Sequence, residues 1–395
     1  ENKDIYNGFL QRFDYGVKPD ENNYVDPAAV KESLIAARDH LYKAYFMLTE
    51  NVLLNASIGD LTHALTEGFF GIGAMRGKPF AGCFDFNGHY VNMVVTATEM
   101  GTNAFAAPEM TAGTGAADHE VMSIGLFGRA AGNGVNASLI RGANVRGSIA
   151  VTSKAALADN DGVPMRIYAG GLVGMIGERV VLDDISSSVS ISATSKDASI
   201  YAGGIFGFSS ANAESWSNAF YDGTYATVEA ITDGENAAAM VGSFAGILQN
   251  AYVHSYSALL DHTNLIANAQ TKGDAVAGGV AAIAYLPGSN TPVYEDSGTR
   301  AAMEISEIDL RTNGAVISAE TNHANADGVK NIDPAGFFER TDYGAAVSGG
   351  LVGILYNEIA NENEEKITLS GIRFTPVGSA LPLSVQSGTR AADSN

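Results

Sequence analysis

The sequence predicts an all-β fold built as a parallel solenoid, with an amphipathic capping helix at its N-terminal end. Three observations carry that expectation. One short apolar stretch recurs along the chain. Strand-like alternation fills the intervals between its copies. One early segment carries helical periodicity and a helix start signal.

The recurring stretch reads AGGLVG at 169–174, AGGIFG at 202–207 and SGGLVG at 348–353, with looser copies SIGLFG at 123–128, GSFAG at 242–246 and AGGVAA at 277–282. Its last residues are Gly128, Gly174, Gly207, Gly246, Ala282 and Gly353, so the steps are 46, 33, 39, 36 and 71. The last step is close to twice 36, which reads as one degenerate copy. Self-similarity at such a period marks stacked repeats. Each Gly-Gly pair precedes an aliphatic run too short for a helix. In VVLDDISSSVSISATS (180–195), Val189, Ile191 and Ala193 alternate with Ser188, Ser190 and Ser192, giving one apolar and one hydroxyl face. AMEISEIDL (302–310) and KITLSGIRF (366–374) repeat the theme.

A propeller, a sandwich and a solenoid all use such strands. The single Trp216 argues against propeller blades, which usually carry a Trp or His-Asp signature. A sandwich gives no reason for one motif to return at near-constant intervals. A solenoid does, because like residues stack on like. The aliphatic positions then form an internal ladder. The glycines sit where the chain turns and a neighbouring backbone comes close.

The helix is expected over DPAAVKESLIAARDHLYKAY (26–45). Asp26 is the cap, Pro27 takes the first helical position, and Val30, Leu34, Ala37 and Leu41 share one face. A solenoid leaves unpaired strand edges at its ends, so a covering helix fits there. The expected organisation is an N-terminal segment with the helix (1–44), the strand repeats (45–383) and a C-terminal tail or module boundary (384–395).

The 395 residues are 46% apolar, enough for a continuous core. The formal charge of −21 disfavours nucleic acid and anionic lipid as partners. With one cysteine, Cys83, no internal disulfide can form. No apolar run approaches the ~20 residues that span a bilayer, so no membrane insertion is expected. Starting at Glu1 without a leader, the chain reads as a mature or excised piece, either a monomer or part of a larger multidomain protein.

An ordered set of motifs runs through the chain: YFMLTENVLL (45–54), GIG (71–73), PFAGCFDFNGHYVNMVV (79–95) and then the GGLVG copies. In this order they resemble the GLUG-motif repeat proteins of bacterial surfaces, including the repeat regions of immunoglobulin-A-cleaving metallopeptidases and large adhesin-like proteins. The resemblance covers about Ala29 to Thr375. Asp85, Asn87, Gly88 and His89 match the family stretch, whereas Phe86 stands where the family has glycine. The resemblance implies a right-handed parallel β-helix of roughly eight turns, about 40 Å long at ~4.8 Å per strand. It also implies an extracellular or cell-surface setting and a mostly non-catalytic role.

Candidate chemistry is sparse. No HExxH or GxSxG motif occurs. Cys83 has no thiolate-stabilising motif and reads as a packing residue. Asp85 and His89 can be weighed as a catalytic pair, but they read first as turn formers. Asp118-His119-Glu120 reads as a solvated charge cluster before a metal site. The DNDG turn at 159–162 offers Asp159 and Asp161 as calcium ligands but lacks the later ligands of a full calcium loop. No other cofactor is expected. NENEE (361–365) reads as a solvated insertion.

SSANAESWSNAFYDGTYAT (209–227) gathers Trp216, Phe220, Tyr221 and Tyr225 among Asn, Ser and Asp, a composition suited to sugar rings. SGTRAA occurs at 297–302 and at 387–392, which marks either equivalent corners of two turns or an exposed arginine site for processing. The expected function is a non-enzymatic adhesin or stalk module contacting a glycan or protein. The alternative is a carbohydrate-active β-helix enzyme, a polysaccharide lyase or glycoside hydrolase.

Overall fold

The computed structural model describes residues 44–58, 71–73, 79–99, 120–132, 137–153, 166–177, 179–209, 213–234, 237–271, 273–286, 302–322, 345–357, 366–378 and 381–389. These residues are all-β, and every strand pair is parallel. The helix expected over 26–45 lies outside them, apart from Ala44 and Tyr45 at its end. No helix among the described residues is long and apolar enough to cross a membrane.

One repeat shows the plan. Arg166–Gly170 lies in a first sheet of six strands, Val173–Ile176 in a second of six, Val180–Asp183 in a third of eight, and Ser186–Ser195 in a fourth of twelve. Each strand pairs with its counterpart in the next repeat, so the repeats stack as rungs. Ile167 pairs with Ile200, Val173 with Phe206, and Val180 with Ala213.

The recurring apolar stretch is the corner between the first two sheets. Ala169 and Gly170 end one strand, Gly171 and Leu172 make the bend, and Val173 begins the next. The bend residues form a column. The Leu172 amide donates to the Ile205 carbonyl at 2.8 Å, Ile205 to Phe244 at 3.1 Å, Phe244 to Val280 at 2.9 Å and Val280 to Leu351 at 2.7 Å. Leu126 joins through Phe127, whose amide donates to the Leu172 carbonyl at 2.8 Å. Leu126, Leu172, Ile205, Phe244 and Val280 are buried. Glycine is required at the bend because a Cβ on Gly170 would lie 1.9 Å from the Val173 carbonyl oxygen.

The 71-residue step is a single rung, contrary to the expected degenerate copy. Ala281–Leu286 pairs directly with Val352–Asn357, and Ala281 faces Val352. The extra length falls largely in 287–301 and 323–344, which lie outside the described residues.

Alternation sets the third and fourth sheets. Val189, Ile191 and Ala193 are buried, while the serines between them face outward. In the next rung the ten-residue strand divides into Ala219–Asp222 and Thr227–Thr232, with a turn at Gly223–Ala226 closed by an amide-to-carbonyl bond of 2.8 Å. The register moves accordingly: Ser187 faces Tyr221, but Ile191 faces Val228. Later rungs keep the division, as in Tyr256–Asp261 with Asn264–Ala269. The fourth sheet continues to Ser384–Thr389, which pairs with Val316–Thr321, so the strands run past the boundary expected at 383.

At the N-terminal end Phe80, Phe84, Phe86 and Phe127 pack at ring separations of 5.1 to 6.3 Å. Phe86 is buried, and the left-handed residues of its turn are Asn87 (φ 49°) and Gly88 (φ 76°). The glycine that the resemblance leads one to expect at 86 is therefore not needed there, and the ring fills core instead.

Candidate functional site

The third and fourth sheets meet at a corner that repeats in six successive rungs. Its turning residues are Gly142, Asp184, Asn218, Ser255, Glu307 and Gly371, all left-handed with φ between 44° and 63°. Glycine adopts this conformation freely, and Asp and Asn tolerate it. Ser255 and Glu307 hold it while bonded to each other, the Ser255 hydroxyl donating to Glu307 Oε2 at 2.5 Å. Beside this column runs an open groove of about 430 Å³ lined by Asn218, Ser255, Ser257, Glu307, Asp309 and Arg373 among others. Asp309 Oδ1 accepts from the Thr375 hydroxyl at 2.9 Å.

Two aromatic residues stand on the outer face of the fourth sheet. Phe220 is half-buried, with the Arg311 guanidinium 5.7 Å above its ring. Tyr225 sits in the turn that divides the strand, 74% exposed and left-handed at φ 54°. Its ring lies against His262, with centroids 5.0 Å apart and planes 18° from parallel. His262 Nδ1 is 2.7 Å from Asp261 Oδ1, which also accepts from Asn313 Nδ2 at 2.8 Å.

Of the four aromatics expected to act together, the three whose side chains are described therefore separate. Phe220 and Tyr225 reach the lateral face. Tyr221 does not: it is fully buried and its hydroxyl donates to the Val189 carbonyl at 3.3 Å. Its place on the alternating strand forces this, since Phe220 and Tyr221 are neighbours and must point to opposite faces. Burial, with help from the Asp222 charge, pushes the Tyr221 hydroxyl far above the ordinary tyrosine range. Trp216 belongs to strand Ala213–Ser217, and its side chain lies outside the described set.

The calcium candidates Asp159 and Asp161 also lie outside the described residues, as do Asp118, His119 and 361–365. Among the described residues no cluster of three or more metal-ligating side chains forms.

Asp85 and His89 do not pair. Asp85 Oδ2 accepts from Arg141 Nη2 at 2.6 Å, Arg141 Nε at 2.9 Å and the Tyr45 hydroxyl at 2.8 Å, while Oδ1 accepts the Asn87 amide at 2.8 Å. Burial alone would raise its pKa. The bonds from Arg141, Asn87 and Tyr45, with the Arg141 charge, outweigh burial and hold the carboxyl below its usual range. His89 Nδ1 instead lies 3.4 Å from Asn51 Oδ1. The Cys83 thiol is half-buried and pushed up chiefly by burial, which leaves it protonated and inert at neutral pH.

A further grouping on the third sheet is invisible in the sequence. His254 Nδ1 lies 3.0 Å from Ser306 Oγ and 3.9 Å from Glu304 Oε1. A catalytic triad needs the serine and the acid on opposite ring nitrogens. Here both face one nitrogen, and Ser306 is buried, so the set bonds across a rung and does not form a nucleophile.

The two SGTRAA copies are not equivalent corners. The first ends at Ala302, which begins a strand of the third sheet, while Ser387–Thr389 of the second close a strand of the fourth.

The corner column escaped the sequence reading. Its members follow third-sheet strands directly, as Gly142 follows Arg141, Asp184 follows Asp183, Ser255 follows His254, Glu307 follows Ser306 and Gly371 follows Ser370, but they share no residue type that a sequence could announce. Comparison of the chain with protein-family models, with curated proteins and with solved structures found no match in any of the three.

Proposed function

We propose that this chain is a right-handed parallel β-helix of the GLUG-motif type, working at a cell surface or in secretion as a non-enzymatic module that presents a lateral binding face. The observation that carries the reading is Tyr225. A large ring, three-quarters exposed, is held in a left-handed conformation on the lateral face. That conformation costs a non-glycine residue about 1–2 kcal/mol, and Gly314 occupies the same turn two rungs on, where Gly314 N bonds outward as His262 N and Tyr225 N do. Strain kept where glycine would relieve it points to use of the side chain.

The Tyr225 ring is backed by His262 and three-quarters exposed, which suits a sugar-stacking platform. Asp261 and Asn313, bonded to each other beside His262, supply donors and acceptors nearby. The net charge of −21 favours a neutral glycan, or a protein surface without strong acidity, over a polyanion.

A glycan array comparing the native chain with Tyr225→Ala and Phe220→Ala tests this. Binding lost in both variants supports the reading. Equal binding by all three, or by none, retires it and leaves a spacer role. A second reading rests on Glu307 and Asp309, two carboxylates lining the corner groove. Glycoside hydrolysis uses such a pair. Turnover of a polysaccharide by the native chain, abolished in Glu307→Gln or Asp309→Asn, would promote that enzyme reading.

A further inference from the structure

Cations are scarce in this chain, with 23 Lys and Arg against 44 Asp and Glu. An arginine on the surface therefore has carboxylates to choose from. Arg141 shows the ordinary outcome, bonded to Asp85 at 2.6 and 2.9 Å. Arg311 and Arg373 differ. Among the described residues neither guanidinium makes an ion pair or a hydrogen bond, and Arg311 Nε is buried without a partner. Two carboxylates line the corner groove together with Arg373, yet both bond hydroxyls. Asp309 Oδ1 accepts from Thr375 at 2.9 Å, and Glu307 Oε2 accepts from Ser255 at 2.5 Å.

Register ties both arginines to the groove. Phe220 faces Ser257, Ser257 faces Asp309, and Asp309 faces Arg373, so the four form one outward column across successive strands. The last three line the groove. Arg311 lies two residues along the strand from Asp309 and so shares its face. Its guanidinium reaches back over the Phe220 ring, at the start of the column. One guanidinium thus stands toward each end of a column roughly 14 Å long at ~4.8 Å per strand. Arg311 has a paired strand on either side, Leu259 before it and Thr375 after it, so its isolation belongs to the lateral face. A bulge leads into the same groove. Leu182 faces Ser215 and Asp183 faces Ser217, which makes Trp216 the added residue, two before the lining Asn218. Bulges are common where a chain is re-aimed beside a site.

We propose that this groove binds a short acidic oligosaccharide, laid along the column with sugar carboxylates on Arg311 and Arg373. A guanidinium matches a carboxylate with two parallel hydrogen bonds, and these two are not already spent on the protein's own acids. Between them Glu307 and Asp309 present only acceptors, while Asn218 and Ser257 offer both roles. That mixture suits ring hydroxyls. An acidic peptide brings carboxylates without hydroxyls and meets Glu307 and Asp309 as like charges. The volume of about 430 Å³ is that of a small-ligand site. The net charge of −21 opposes a long polyanion, so the ligand is a short stretch or a chain end. The inference rests on the groove and its arginines, separately from the Tyr225 platform.

Titration calorimetry of the full chain with trigalacturonic acid, its fully methylated ester and sialyllactose tests it. The acid should bind at least tenfold more tightly than the ester, which keeps every ring and hydroxyl but no charge. Arg373→Ala and Arg311→Ala should each weaken the acid by roughly tenfold or more, the loss expected for a hydrogen bond to a charged group. Arg373→Lys and Arg311→Lys keep the charge without the fork and should recover part of the binding, which separates recognition from a folding defect. Sialyllactose bound in place of trigalacturonic acid, with the same loss in the arginine variants, supports the site and puts the carboxylate at a chain end. Equal affinity for acid and ester, no binding of either acidic sugar, unchanged binding in both alanine variants, or full competition by an oligoglutamate peptide would each overturn the proposal. Neutral glycans on an array read the Tyr225 platform alone, so either reading can fail without the other.

Discussion

Alkaline titration should unfold this chain through four tyrosines. Tyr168, Tyr201, Tyr221 and Tyr256 are at most 1% exposed. Burial is the first cause in each case and raises all four. Arg166 partly offsets it for Tyr168 and Tyr201, and for Tyr256 the Ser243 hydroxyl, 2.6 Å away, does the same. In the unfolded chain each ionises near the ordinary value of about 10. In the folded chain burial holds each above that, Tyr221 and Tyr256 well above. Their contribution is therefore complete below pH 10 and is lost as pH rises toward the folded values. Above 10 the unfolded state binds up to four fewer protons than the folded one. Stability then falls by about 1.4 kcal/mol per tyrosine per pH unit, or roughly 5 kcal/mol in all. A domain with the usual 5–15 kcal/mol is exhausted within about one to three units. Tyrosinate absorbance and far-ultraviolet circular dichroism followed together provide the assay. The expected result is a late wave of tyrosine ionisation coincident with loss of the β signal, and a slope about one quarter shallower in Tyr221→Phe. If every tyrosine ionised in one wave around pH 10 with the β signal intact, the burial argument would be refuted.

Other outcomes follow from the same geometry. Leu172→Ala should lower stability by about 2–5 kcal/mol in chemical denaturation, because its neighbours above and below are fixed by the ladder. Leu172→Asp should leave no folded chain at all, and an unchanged melting temperature would count against the inward column. Gly204→Ala places a Cβ 2.3 Å from the Ser243 carbonyl oxygen and 2.5 Å from the Tyr221 ring, so it should destabilise by about 1–3 kcal/mol or more, whereas Gly350→Ala should melt like the native chain. Asp85 has a depressed folded pKa, so its contribution is present above the ordinary carboxylate range and disappears as pH falls through the folded value. Melting curves of Asp85→Asn should lack that part of the acid loss.

Much of the fold could be read from the residues, and the reasons are local. The bend glycines are dictated by contacts within one corner, such as Gly170 against the Val173 carbonyl, so each copy of the motif announces itself. Serine alternating with Val189, Ile191 and Ala193 likewise states which face is buried. Failures came where meaning depends on a neighbouring rung. The 71-residue step looked like a lost copy because a sequence gives spacing and not pairing, while Ala281 facing Val352 makes it one rung. Tyr221 looked like a partner of Tyr225 because composition was weighed over a window, and alternation within Ala219–Asp222 sends it inward. The corner column of Asp184, Asn218, Ser255 and Glu307 shares a backbone angle and no residue type, so no motif marks it.

Register in this chain is indifferent to loop length. Successive copies of the bend are 33 to 71 residues apart, yet Gly174, Gly207, Gly246, Ala282 and Gly353 remain stacked in one line. Doubling a flexible loop costs only about 0.6 kcal/mol in closure entropy. A rung that buries several aliphatic side chains absorbs that easily. The connections after Leu286 and after Asn322 are therefore natural ports, where a foreign peptide or a whole small domain can be spliced in without disturbing the ladder. Diversification of such a protein would proceed by lengthening and replacing these excursions while the strands stay conserved in number and order, and a library built on it should be randomised there first.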